Sequence, residues 1–113
     1  MSSPLTTHVL DVSLGRPARG VAIVLERRDG DGLRELARTA TNADGRAPEL
    51  LPPGGLLAGI YRLHFATAAY FEADGRRCFY PEVVIEFEVT QPGEHHHVPL
   101  LLSPFGYSTY RGS

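Results

Sequence analysis

Turn-forming residues interrupt this chain so regularly that no long helix fits between them. Ser13-Leu14-Gly15-Arg16-Pro17, Asp29-Gly30-Asp31-Gly32, Asn42-Ala43-Asp44-Gly45, Gln91-Pro92-Gly93 and Ser103-Pro104-Phe105-Gly106 each supply the Gly, Pro or Asx chemistry of a tight turn. Residues 47–55 are too rich in Pro and Gly to hold a long regular element. The segments that remain, residues 5–12, 21–28, 33–41, 60–67, 82–90, 95–102 and 107–111, read as strands. Residues 82–90 carry the clearest signal. Val83, Ile85, Phe87 and Val89 occupy one face and Glu82, Glu86 and Glu88 the other, the period of a strand with one side in a core and one in water. Residues 60–67 repeat the pattern, with Tyr61, Leu63 and Phe65 against Arg62, His64 and Ala66. Residues 68–74 predict one or two helical turns ended by Gly75. Seven or eight strands with short connections, no internal repeat and no linker make one all-β domain over residues 1–113, best satisfied by a sandwich.

Composition narrows the classes of function. A hydrophobic fraction of 42%, with five Phe and five Tyr, supports a packed core and is too apolar for a disordered chain. The net charge is −2 and all eleven basic residues are scattered Arg, so no nucleic-acid surface is indicated. The single cysteine, Cys78, excludes an internal disulfide and a thiolate metal cluster within one chain. Arg76 and Arg77 beside it favour a thiolate, but no catalytic motif surrounds it and it reads as incidental. No apolar run reaches the ~18 residues of a membrane span, and no basic and apolar leader opens the chain, so a cytoplasmic protein without membrane partners is expected.

Histidine is the concentrated reactive type. His95, His96 and His97 are consecutive, and strand parity separates them. Val98, Leu100 and Leu102 form a continuous apolar set suited to the core, which turns His95 and His97 outward and His96 the other way. In residues 5–12, His8 shares a face with Thr6, Leu10 and Val12. On the residues alone, the triplet fits a solvated sheet face; a His-x-His pair also suits a metal, but no third ligand stands at a recognised spacing. Arg46, just after the Asn-Ala-Asp-Gly turn, projects from a fixed position. The end, Tyr107-Ser108-Thr109-Tyr110-Arg111-Gly112-Ser113, stays strand-like where chain ends usually fray, so an interface or a site holds it.

Three segments, Leu5-Thr6-Thr7-His8-Val9-Leu10-Asp11, Thr41-Asn42-Ala43-Asp44-Gly45-Arg46 and the run from His95 through Val98-Pro99-Leu100-Leu101-Leu102-Ser103-Pro104 to Tyr110-Arg111-Gly112-Ser113, closely resemble the 5-hydroxyisourate hydrolase branch of the transthyretin-like family. The resemblance runs nearly end to end, and the Tyr-Arg-Gly-Ser terminus is its most specific part. It implies a transthyretin-like sandwich of two four-stranded sheets with one short helix. It also implies a homotetramer with active sites at the dimer–dimer interface, and no cofactor or metal. The implied reaction opens the six-membered ring of 5-hydroxyisourate with water, giving 2-oxo-4-hydroxy-4-carboxy-5-ureidoimidazoline in urate degradation. The implied catalytic residues are His8, Arg46, His97 and Ser113, and substrate is bound by His8, Arg46, Tyr110, Arg111 and Gly112, with Arg111 alternatively positioning the tail. His96 stands where relatives often carry Tyr; its parity predicts little effect on the chemistry. Parity also allows His8, His97 and Tyr110 to face outward together. The competing readings are a transthyretin-like carrier of an apolar small molecule, disfavoured because it would leave these polar groups unpaired, and a module that only mediates protein contacts.

Overall fold

The computed structural model describes residues 3–112. Its elements are β1 (Leu5–Asp11), β2 (Arg16–Pro17), β3 (Ala22–Asp29), β4 (Gly32–Ala40), β5 (Gly59–Phe65), α1 (Thr67–Glu72), β6 (Val83–Val89), β7 (His96–Ser103) and β8 (Gly106–Thr109). They form two four-stranded sheets, one ordered β2-β1-β7-β8 and the other β4-β3-β5-β6. The expected sandwich of two four-stranded sheets with one short helix is what the chain adopts.

Alternation decides what each strand buries. Leu5, Val9, Leu100 and Leu102 from the first sheet meet Ile23, Leu25, Tyr61, Leu63, Phe65 and Val83 from the second, all buried. Tyr61 brings a polar atom into this core and satisfies it locally: its Oη donates to the Leu57 carbonyl at 2.9 Å and accepts from the Leu57 N–H at 3.0 Å. Phe87, expected in the core, is only half-buried and stacks on Tyr61 with ring centroids 5.7 Å apart. The helix closes with the Arg76 N–H on the Phe71 carbonyl and the Gly75 N–H on that of Glu72, the paired bonds of a Schellman ending.

Three boundaries differ from the sequence reading for physical reasons. The turn at residues 13–17 holds a two-residue edge strand, because the Leu14 and Gly15 N–H groups bond back to the Asp11 carbonyl and set Arg16 and Pro17 against Asp11 and Leu10. Residue 95 precedes β7 rather than opening it. The last strand stops at Thr109 instead of 111. The cause is Pro99. Its carbonyl, and therefore its nitrogen, faces β8, since the Thr109 hydroxyl donates to that carbonyl at 2.7 Å. A proline nitrogen has no proton for the ladder, so pairing ends at Leu100 with Thr109 and resumes only as a bridge between His97 and Gly112.

Asp11 locks the end of β1 to the helix. Its buried carboxylate accepts from Tyr70 Oη (2.7 Å), Arg76 Nη2 (2.8 Å), Ser13 Oγ (2.6 Å) and the Leu14 N–H (3.1 Å). Burial alone would raise its pKa, but the hydrogen bonds from Arg76, Ser13, Tyr70 and Leu14 outweigh it and hold the group at about 2. The Arg76 guanidinium also lies over the Phe71 ring, 4.9 Å from its centroid. The strand that carries Thr6 and His8 is thereby anchored at its far end.

Candidate active site

The outer face of the first sheet collects most of the expected residues. Strands β1 and β7 run parallel with Thr6 opposite His97 and His8 opposite Pro99. His8 and His97 therefore project from the same face, two positions out of register, about 8 Å apart by strand geometry. The Thr6 hydroxyl lies 2.8 Å from His97 Nδ1 and 3.1 Å from His95 Nε2, hydrogen-bonded to both. His96 points the other way and is buried, its Nδ1 bonded to the Glu94 carbonyl at 2.8 Å.

Arg46 arrives from a turn that is itself tied to β1. Asn42 Oδ1 accepts from the backbone N–H groups of Asp44 (2.9 Å) and Arg46 (3.1 Å), an Asx-type closure that fixes where the arginine starts. Gly45 has φ +74° and its carbonyl accepts from the Val9 N–H at 2.7 Å, while a Cβ there would stand 2.5 Å from the Val9 carbonyl oxygen. Only a residue without a side chain lets the turn dock this closely. Arg46 consequently bridges His8 across the backbone.

The electrostatics follow from that docking. Burial and then the Arg46 charge lower the pKa of His8, with Asp44 partly opposing. Burial, Arg46, His95 and His8 lower that of His97, against a smaller contribution from the Thr6 backbone. Burial and the Arg46 charge therefore both favour the neutral, proton-accepting form of the two imidazoles. A guanidinium beside two neutral imidazoles suits binding and polarising an anionic, oxygen-rich heterocycle and activating water.

The tail joins the site at one residue. The Gly112 N–H donates to the His97 carbonyl at 2.8 Å, and a Cβ on Gly112 would lie 2.6 Å from His97 Cδ2. The bare backbone passes against the imidazole. Arg111 turns to solvent and donates from Nη2 to Glu94 Oε1 at 3.0 Å. Tyr110 is not brought to the imidazoles within the protomer. It lines a cleft of about 290 Å³ with Ile85, Phe87, His96 and Val98, on the side of β7 opposite His97. Tyr110 follows the end of β8 at Thr109 and precedes the His97–Gly112 bridge. Ser113, expected as a catalytic residue, lies outside the described residues. Thr6 and Asn42 are the contributors that the sequence reading did not single out. Cys78 is half-buried against the core, and the guanidinium of neighbouring Arg76 is committed to Asp11 and Asp74. Among the described residues, no group of three His, Cys, Asp or Glu side chains is arranged to hold a metal ion.

Comparison with known proteins adds an independent line. The model of the HIUase/Transthyretin family matches residues 5–112. A 5-hydroxyisourate hydrolase of Caulobacter vibrioides is 50% identical over 115 residues, covering 98% of this chain and 99% of that protein. The structure of the Klebsiella pneumoniae 5-hydroxyisourate hydrolase superposes with a TM-score of 0.85 at 41% identity, over 96% of this chain and 97% of that one. Sea bream transthyretin in complex with thyroxine superposes with a TM-score of 0.92 at 32% identity, over 97% of this chain and 95% of that one.

Proposed function

The chain belongs to the HIUase/transthyretin family, and from that premise we propose that it opens the ring of 5-hydroxyisourate with water, using His8, Arg46, His97 and the C-terminal residues. It is an enzyme, a hydrolase of the hydroxyisourate type. The observation that carries the mechanism is the shared outer face on which His8 and His97 project together, with the Arg46 turn docked against β1 beside them. His97 is the general base, because Nδ1 is held by Thr6 and the opposite nitrogen is the one left to act. It removes a proton as the water oxygen bonds to a ring carbonyl carbon. The Arg46 fork binds the anionic heterocycle and stabilises the negative charge that develops on that carbonyl oxygen. The ring C–N bond then breaks, the departing nitrogen takes that proton from His97, and the new carboxylic acid loses its remaining proton to water, which gives 2-oxo-4-hydroxy-4-carboxy-5-ureidoimidazoline. His8 orients the water and the substrate. Gly112 lets the tail lie against His97, Arg111 anchors the tail through Glu94, and Tyr110 and Ser113 bound the substrate site in the assembled protein.

The same reading includes a cytoplasmic homotetramer. The reactive groups sit on an outer sheet face rather than between the sheets, so a facing subunit is what would wall the site from bulk water and make a channel of it. A carrier of an apolar ligand is the weaker reading, because such a ligand would leave Arg46 and both imidazoles without partners. The test follows the ultraviolet decay of 5-hydroxyisourate generated from urate by urate oxidase. His97→Ala and Arg46→Ala are each expected to cut the protein-dependent rate by about 10²–10⁴-fold with the fold intact. Unchanged turnover in both variants overturns the assignment.

A further inference from the structure

The Thr6 hydroxyl stands between two imidazoles, 2.8 Å from His97 Nδ1 and 3.1 Å from His95 Nε2. The two rings lie within 15° of parallel with centroids 6.5 Å apart. A hydroxyl has one proton and two lone pairs. When it donates to one ring it must accept from the other, so the two protonation states are tied together. If Thr6 donates to His95 Nε2, it accepts from His97 Nδ1–H and leaves His97 Nε2 as a bare lone pair. If Thr6 donates to His97 Nδ1, then Nε2 of His97 carries the proton instead. The first arrangement makes His97 a base and the second makes it an acid.

Resting on the hydrolase reading above, we propose that His97, Thr6 and His95 form a proton relay, with Thr6 as the positioning residue and His95 as the outer terminus. As water attacks, His97 Nε2 takes its proton, His97 Nδ1 releases one to the Thr6 oxygen, and the Thr6 hydroxyl proton moves to His95 Nε2. One proton enters at His97, Thr6 exchanges one for another, and the single positive charge ends on His95. When the ring C–N bond breaks, the three transfers run in reverse and His97 Nε2 delivers the proton to the departing nitrogen. The direction has a physical reason. A charge left on His97 would face Arg46 and His8, and burial disfavours it further. His95 lies just before β7 and is exposed in the protomer, where water can solvate the cation it receives.

Two measurements test the relay. Nitrogen NMR of ¹⁵N-histidine-labelled protein without substrate is expected to show His97 as the Nδ1–H tautomer, and Thr6→Val to abolish that preference. In turnover, Thr6→Val and His95→Gln are each expected to lower kcat by about 10–10²-fold with KM changed less than about twofold. Thr6→Ser, which retains the hydroxyl, restores most of the rate and the tautomer. Because His95 is exposed, its variant keeps the test alive even where Thr6→Val folds poorly. A wild-type His97 with the proton on Nε2, or an active wild type matched by both variants, overturns the relay while leaving the hydrolase. A wild type that does not accelerate loss of 5-hydroxyisourate overturns the hydrolase reading and the catalytic role of the relay together.

Discussion

Replacing Gly112 by Ala adds one methyl group at the point where the tail crosses His97. That carbon would sit 2.6 Å from His97 Cδ2, 3.2 Å from Cγ and 3.3 Å from Cβ. Ordinary carbon–carbon contact is about 3.5–4.0 Å, so the overlap is roughly 1 Å. The ring cannot yield cheaply, since Thr6 holds its Nδ1 at 2.8 Å. The tail is attached more weakly, through the single Gly112–His97 bridge and an Arg111–Glu94 pair that is largely exposed and worth little. Either the imidazole or the tail must therefore shift by roughly 1 Å, a displacement that costs about 10²-fold in rate when the group belongs to a preorganised site. Stability should barely change, because the bridge it strains contributes about 1 kcal/mol. The assay pairs kcat/KM for 5-hydroxyisourate with a thermal melt. Gly93→Ala serves as the control, as a Cβ there meets nothing within 4 Å. Activity of Gly112→Ala within about threefold of wild type would refute the reasoning.

Two further outcomes follow from the charges. Asp11→Asn removes the buried carboxylate that receives Arg76 and Tyr70, and is expected to cost roughly 2 kcal/mol, a Tm drop on the order of 8 °C at pH 7; a Tm within about 2 °C of wild type would contradict it. Because the folded pKa of Asp11, about 2, lies below its ordinary value of 3.8, its stabilisation is full above 3.8 and is lost as pH falls through about 2; the gap between wild type and Asp11→Asn should close over that acid window. His8 and His97 both have pKa values lowered from 6.5, so the neutral, active form persists below 6.5. The acid limb of kcat/KM should accordingly have its midpoint below 6.5, and a limb centred at or above 6.5 would contradict the electrostatics described for the site.

Much of this architecture was legible one strand at a time. The alternation in residues 60–67 and 82–90 assigned the buried faces of Tyr61, Leu63, Phe65, Val83, Ile85 and Val89, and the apolar run Val98, Leu100 and Leu102 turned His97 outward. These are local properties, settled by side-chain periodicity. Pairing between strands is not local. Thr6 was visible as a face-mate of His8, but its place against His97 depends on a parallel register between the first and seventh strands, which no periodicity encodes. The tail was less legible for a different reason. Tyr110 has the parity of an outward residue only if the strand continues, and the proline that ends its pairing lies eleven positions earlier on the neighbouring strand. Arg16 and Pro17 are too few to leave a pattern, and only the hydrogen bonds folding back on Asp11 make them a strand.

The parallel pairing of β1 with β7 has a temporal consequence. Thr6 and His97 are separated by 91 positions along the chain, and the Gly112 contact with His97 forms later still. A growing polypeptide on the ribosome thus presents Thr6 and His8 long before the strand that carries His97 exists to pair with them. The second sheet is complete earlier along the chain, since its last strand, β6, ends at Val89, before β7 begins. A chain released before His97 is made carries only one side of this pairing, whatever fraction of the sandwich it assembles.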